Sequence, residues 1–260
     1  LDIAITPEDA AGPPAGRWPF WRTAGWGAVV IVVSQLVQAF ALVIVAAIDK
    51  FYLYPALRLS TSFVQVLLAD AAEGDVLAGI VIVSDLAAIA AILLIVWVKR
   101  VPPLDYLALG PVRAPVLLKW TGIMIAYVAL TSGAASLFHV DFGGAVMGNM
   151  LGDSRYKFLF WIAVVLAAPA FEEGLFRGLL FRGFEASFLK TCGTIVLTAI
   201  LWAALHVQYN LYGIAFIAGV GILFGIARAQ TGSLTVTLVL HAVMNFGETL
   251  VYTLWGDVGP

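Results

Sequence analysis

The sequence predicts an all-α, polytopic bundle of transmembrane helices, with about seven spans (six to eight) and a polar site on the last four. Three observations predict it. Of 260 residues, 62% are hydrophobic and only 12% are charged, against about 25% charged in a typical soluble domain. With a mean hydropathy of +0.99, the chain lacks the polar surface that keeps a water-soluble fold dispersed. Several apolar runs reach the roughly 20 residues that cross a bilayer. A few ionisable side chains stand inside those runs, where each costs about 2.5–3.5 kcal/mol. The formal net charge of −2 offers no basic field to a phosphate backbone, so nucleic acid is not an expected partner. A single cysteine, Cys192, excludes an internal disulfide and a Cys-rich metal site.

Residues 1–21 form a polar tail containing Pro and Gly, and residues 22–256 a single transmembrane domain. The first apolar run, 23–48, is far longer than a signal-peptide core and reads as a retained anchor. Pro55 and Arg58 interrupt 51–68, and Tyr52 and Tyr54 suit the headgroup region, so that segment reads as interfacial. Spans follow at 76–98 and 120–140. Beyond Lys157, residues 158–188 read as one long helix carrying Glu172, Glu173 and Arg177. Residues 191–227 contain no Asp, Glu, Lys or Arg, and as one helix they would be about 55 Å long, nearly twice the hydrocarbon thickness. They are expected to fold back at 208–213. The last span, 233–255, starts with Ser233 as N-cap after Gly232. Alternating sides put nine Lys and Arg on one face, Arg22, Lys99 and Arg182 among them. The other face receives four: Lys50, Arg58, Arg155 and Lys157. That asymmetry predicts a cytoplasmic N-terminus.

The intramembrane ionisable residues are where function is to be sought. Glu173 and Arg177 lie at i, i+4 and can pair on one helix face. Glu172 points about 100° away, so one guanidinium does not serve both carboxylates. Glu172 is therefore the candidate general base, and the competing expectation is a polar clamp between helices. Glu172 and His206 each lie 17 residues from Leu189, in the short connection 188–193, so a hairpin there brings both to similar depth. On the last span His241, Asn245 and Glu248 fall at i, i+4 and i+7, one polar stripe on an apolar helix. Asp85 reads as a bundle-interior hydrogen-bonding residue. His139 and Asp141 read as span-end residues, and Gly213, Gly219, Gly221 and Gly225 as points of close helix approach.

Glu172-Glu173-x-x-x-Arg177, then Trp202-x-x-x-His206, then His241-x-x-x-Asn245, in that order on successive spans, resemble the three motifs of the CPBP intramembrane protease family, also called the Abi or CAAX prenyl protease 2 type. The resemblance covers about 159–252. Trp202 stands where the family usually has Phe, a swap expected to affect packing more than chemistry. Membership implies an intramembrane endopeptidase acting on membrane-tethered, CAAX-type prenylated or bacteriocin-type peptides, in the plasma membrane of a bacterium. In that reading Glu172 with His206 activates water, His241 and Asn245 donate to the oxyanion, and Glu173 and Arg177 orient the site. No cofactor is then required. The alternative is zinc held by Glu172, His206 and His241, against which stands the absence of a helical His-Glu-x-x-His arrangement. Two other classes of function compete: a proton-coupled transporter or channel, which buried Glu, His and Asp also suit, and a non-catalytic membrane immunity or scaffold protein.

Overall fold

In the computed structural model, which describes residues 18–53, 62–71, 73–142, 148, 151–152 and 154–255, the chain is a bundle of helices with no strand among the described residues. We number them α1 Phe20–Ile48, α2 Phe63–Asp70, α3 Gly74–Val98, α4 Pro103–Leu107, α5 Ala114–Leu137, α6 Lys157–Glu185, α7 Lys190–Ala204, α8 Leu211–Thr231 and α9 Leu234–Trp255. Among the described residues, six are long and apolar enough to cross a membrane: α1, α3, α5, α6, α8 and α9. The expected seventh span, α7, is a shorter apolar helix of 15 residues, Lys190–Ala204. At 1.5 Å per residue it is about 22 Å long, short of a ~30 Å hydrocarbon core.

The α7–α8 break falls at 205–210, earlier than the expected 208–213, and side chains account for the shift. His206 turns back so that its Nδ1 meets the Trp202 carbonyl at 2.9 Å, closing the helix end. Asn210 then caps α8, its side-chain oxygen accepting from Gly213 N at 3.0 Å. The start of α9 also differs from expectation. The Ser233 hydroxyl is buried without a hydrogen-bond partner, and Leu234 N instead donates to the Ala108 carbonyl. Within 51–68, residues 54–61 lie outside those described. The described part ends in α2, eight residues opened by a capping box between Ser62 and Gln65 and too short to cross.

Two polar clusters mark opposite ends of the bundle. At one, Lys99 stands 4.0 Å from the Trp18 ring centroid, and Arg182 donates to the Asp105 and Tyr106 carbonyls. Burial, then Arg182 and Arg22, push the Lys99 ammonium down to about 8. Three members of the nine-cation face thus share one end. At the other, Asp75 accepts from the backbone N–H groups of Arg155 and Tyr156, at 2.9 Å each. Helices α3 and α6 therefore run parallel, with α1 packed antiparallel against α3. Small residues bring α7 and α8 together: a Cβ on Gly221 would lie 3.0 Å from Ala199 and 3.1 Å from Trp202, and one on Gly225 would lie 2.9 Å from Ile195.

Asp70, only 5% exposed, sits where α2 meets the end of α1. Burial, the charge and hydrogen bond of Asp49, and then Glu73 raise its carboxyl to about 6. A folded-state value above the ordinary 3.8 means the contribution to stability is intact below that value and lost as pH rises through about 6. Asp70→Asn is accordingly expected to raise the Tm of the detergent-solubilised protein at pH 8 and leave it nearly unchanged at pH 4, as read by differential scanning fluorimetry.

Candidate active site

Helix α6 is continuous in path but not in winding. Its α-helical turns Lys157–Ile162, Ala168–Glu173 and Phe181–Glu185 alternate with π-helical Ala163–Ala167 and Gly174–Leu180. The two glutamates thus sit on a short α segment between two wide turns, the kind of irregularity that accompanies functional sites. Its consequence is local and chemical. Ala168 N–H reaches back to the Ala163 carbonyl, and in that register the Val164 carbonyl would look to residue 169, which is Pro and has no N–H. That carbonyl instead accepts from Asn245 Nδ2 on α9 at 2.8 Å.

Glu173 and Arg177 are both fully buried, with Arg177 Nη1 donating to Glu173 Oε1 at 2.8 Å. The expected i, i+4 pair is therefore made. Arg177 Nη2 donates to the Gly221 carbonyl at 3.0 Å, and its guanidinium lies 4.8 Å from the Trp202 ring and 5.4 Å from the Phe224 ring. The same carboxylate oxygen of Glu173 meets His241 Nδ1 at 3.1 Å. A carboxylate accepts only, so Nδ1 carries a hydrogen and faces away from the reaction space.

Glu172 is half-buried and faces elsewhere: the indole N–H of Trp202 donates to its Oε2. Trp202 also touches both histidines edge-on, with ring centroids at 5.2 Å from His206 and 5.3 Å from His241. It is the hub that links the three motifs, and its N–H makes a bond that phenylalanine has no atom for. Because a backbone carbonyl only accepts, His206 must donate through Nδ1 to Trp202, which leaves its Nε2 as an acceptor.

Glu172, His206, His241, Asn245 and Glu248 line one cavity of about 1090 Å³. Tyr209 and Tyr252 border it as well. Asp85 differs from its expected role: it lines this cavity, 5% exposed, and its Oδ2 has no hydrogen-bond partner. Asp141, at the end of α5, also lines the cavity, and its carbonyl accepts from Asn210 Nδ2 at 2.7 Å. His139 lies in the adjoining turn with φ +52°. Ser34, Gln35 and Gln38 on α1 complete a polar lining that attention to ionisable residues alone passes over. Their i, i+1, i+4 spacing within an apolar run was the available signal. Among the described residues, no three His, Cys, Asp or Glu side chains gather closely enough to hold a metal ion.

The described helices thus form a multi-span bundle whose cavity brings Glu, His and Asn side chains together. Residues 154–247 match the family described as Type II CAAX prenyl endopeptidase Rce1-like, a family of intramembrane endopeptidases, and it is the one the three motifs resemble. The chain is also 34% identical over 83 residues to an uncharacterized 24.3 kDa protein of Escherichia coli. That match takes in 31% of this chain and spans 38% of the relative's length. No solved structure matches the chain.

Breaking a buried ion pair leaves an uncompensated charge, at a cost of about 3–5 kcal/mol. Arg177→Met is therefore expected to lower unfolding free energy by that amount, measured by denaturant titration of the helical signal in detergent. Trp202→Phe, which removes one N–H but keeps an aromatic ring, is expected to cost nearer 1 kcal/mol in the same titration.

Proposed function

We propose that the protein is an intramembrane endopeptidase that hydrolyses peptide bonds of membrane-tethered substrates with a glutamate-activated water. The observation that carries the proposal is the convergence of Glu172, His206, His241 and Asn245 on one cavity within a membrane-spanning bundle. Hydrolysis requires a base for water, donors for the tetrahedral oxyanion and a proton for the leaving amine. Glu172 takes a proton from water, assisted by the free Nε2 of His206, and the hydroxide adds to the scissile carbonyl carbon. His241 and Asn245 donate to the resulting oxyanion. Asn245 has a second amide hydrogen besides the one on Val164. Donation by His241 from Nε2 requires the doubly protonated ring, and Glu173 at its Nδ1 is the counter-charge for that form. Collapse of the intermediate breaks the C–N bond as the proton held by Glu172 passes to the amine.

Zinc on Glu172, His206 and His241 is the alternative: the Nδ1 bonds of both histidines leave Nε2 open, the atom a metal would take, but among the described residues no three such side chains gather closely enough to hold one. The route above accordingly uses water and protein groups alone. A prenylated CAAX-type peptide is the substrate that the name of the matched family suggests. The gathering of Arg22, Lys99 and Arg182 at one end supports a cytoplasmic N-terminus, in the plasma membrane of a bacterium.

The test is cleavage of a fluorogenic prenylated CAAX peptide by the detergent-purified protein, at equal concentrations of chains with the same helical signal. Wild type is expected to cleave and Glu172→Ala to be inactive; equal cleavage by both would remove Glu172 from the chemistry. Asn245→Ala is expected to lower kcat by about 10²–10³, the usual loss for one oxyanion donor, and an unchanged kcat would take Asn245 out of the site.

A further inference from the structure

The cavity has a second wall, opposite in character to the Glu-His-Asn wall and contributed by the part of the chain outside the matched family region. On α1, Ile31, Ser34, Gln35 and Gln38 line it at i, i+3, i+4 and i+7. On α3, Val81 and Asp85 line it at i, i+4. Amides, a hydroxyl and a carboxylate on membrane helices are costly unless a polar group answers them. Asp85 makes the need explicit: it is 5% exposed, lines the cavity, and its Oδ2 is without a hydrogen-bond partner.

We infer that Ser34, Gln35, Gln38 and Asp85 form the binding wall that holds the substrate as an extended peptide, with Asp85 accepting from an N–H donor of that peptide. The inference rests on the endopeptidase reading of the same cavity. Two features select an extended peptide. A glutamine amide offers both a donor and an acceptor, the complement of a peptide group, and a peptide entering a membrane protein needs its backbone groups satisfied. The spacing also fits. Residues 34 and 38 are about 6 Å apart along the helix axis, close to the roughly 6.8 Å over which an extended strand repeats same-side groups. The donor facing Asp85 is a backbone N–H or a cationic side chain of the substrate, two sources of one chemistry.

The experiment uses the full chain in detergent with two fluorogenic prenylated CAAX peptides, one carrying lysine beside the scissile bond and one carrying norleucine there. Loss of two neutral hydrogen bonds in Gln35→Leu/Gln38→Leu is expected to raise KM about tenfold with kcat within about twofold. Asp85→Asn is expected to raise KM for both peptides if it meets the backbone, and for the lysine peptide alone if it meets a cationic side chain. Unchanged KM in every variant, or a fall in kcat alone, overturns the inference. A second arm does not depend on turnover: in a Glu172→Ala background, a photo-crosslinking amino acid replaces Gln38 or, as control, Val32, which is 53% exposed on α1. Labelled peptide is expected to attach at position 38 and not at 32. Attachment at 38 in a chain whose wild type cleaves nothing would sustain the wall and sink the endopeptidase reading. Cleavage by wild type with no attachment at 38 would sink the wall alone, and neither cleavage nor attachment would sink both.

Discussion

The fully buried pair of Glu173 and Arg177 is the constraint on which the rest of the site depends. A guanidinium inside a membrane protein must spend its donors on fixed acceptors, and the acceptors it finds come from different helices: Glu173 on its own helix α6 and the Gly221 carbonyl on α8. Gly221 is reachable because α8 lies so close to α7 that a Cβ there would press on Ala199 and Trp202. Glu173 in turn holds His241 of α9 through Nδ1. One ion pair thus fixes the relation of α6, α8 and α9, and the stacking of Trp202 against the guanidinium adds α7. Such a pair contributes little net stability over an apolar core, and its value is in specifying one arrangement.

With Glu173 committed to that structural work, Glu172 is free to face the cavity. The division of labour between adjacent glutamates follows from their angular separation on a helix, and the flanking π-helical turns extend it. Wide turns loosen the backbone ladder, and at Val164 they combine with Pro169 to release a carbonyl that positions Asn245. Trp202 then joins the two parts. Its indole N–H holds Glu172, its carbonyl holds the His206 ring, and its edge packs against His241.

The helical class, the i, i+4 ion pair and the grouping of Glu172, His206, His241 and Asn245 were legible in the sequence, because each rests on a periodicity or on charges out of place in apolar runs. What was not legible depended on backbone irregularity or on tertiary approach. Nothing in the composition of 163–180 announces π-helical winding, and the early end of α7 reflects a side-chain-to-carbonyl bond of His206. Trp202 was expected to matter for packing, since its N–H acquires meaning only once Glu172 is known to sit beside it. Asp85 was read as an interior hydrogen-bonding residue, yet its partnerless oxygen lines the cavity. Ser34, Gln35 and Gln38 carried a spacing signal but no charge, and uncharged polar residues are common enough in membrane helices to hide among packing residues.

The shortness of α7 bears on a difficulty that the proposed hydrolase faces in a bilayer, which is access to water. A helix of about 22 Å is shorter than the hydrocarbon core, and the non-helical turn 205–210 that follows it is tied to the chain just past α5, where Asn210 donates to the Asp141 carbonyl. Irregular backbone in a membrane protein is tolerated where it lines a polar cavity in place of lipid, and the turn does line one. His206 occupies the second position of that turn, with one nitrogen bonded back to the Trp202 carbonyl and the other free of that bond. The same turn that follows the short α7 therefore delivers the histidine to the cavity, and in the proposed reading the polar residues of α1 and α3 across it meet a peptide backbone while the attacking water enters beside His206.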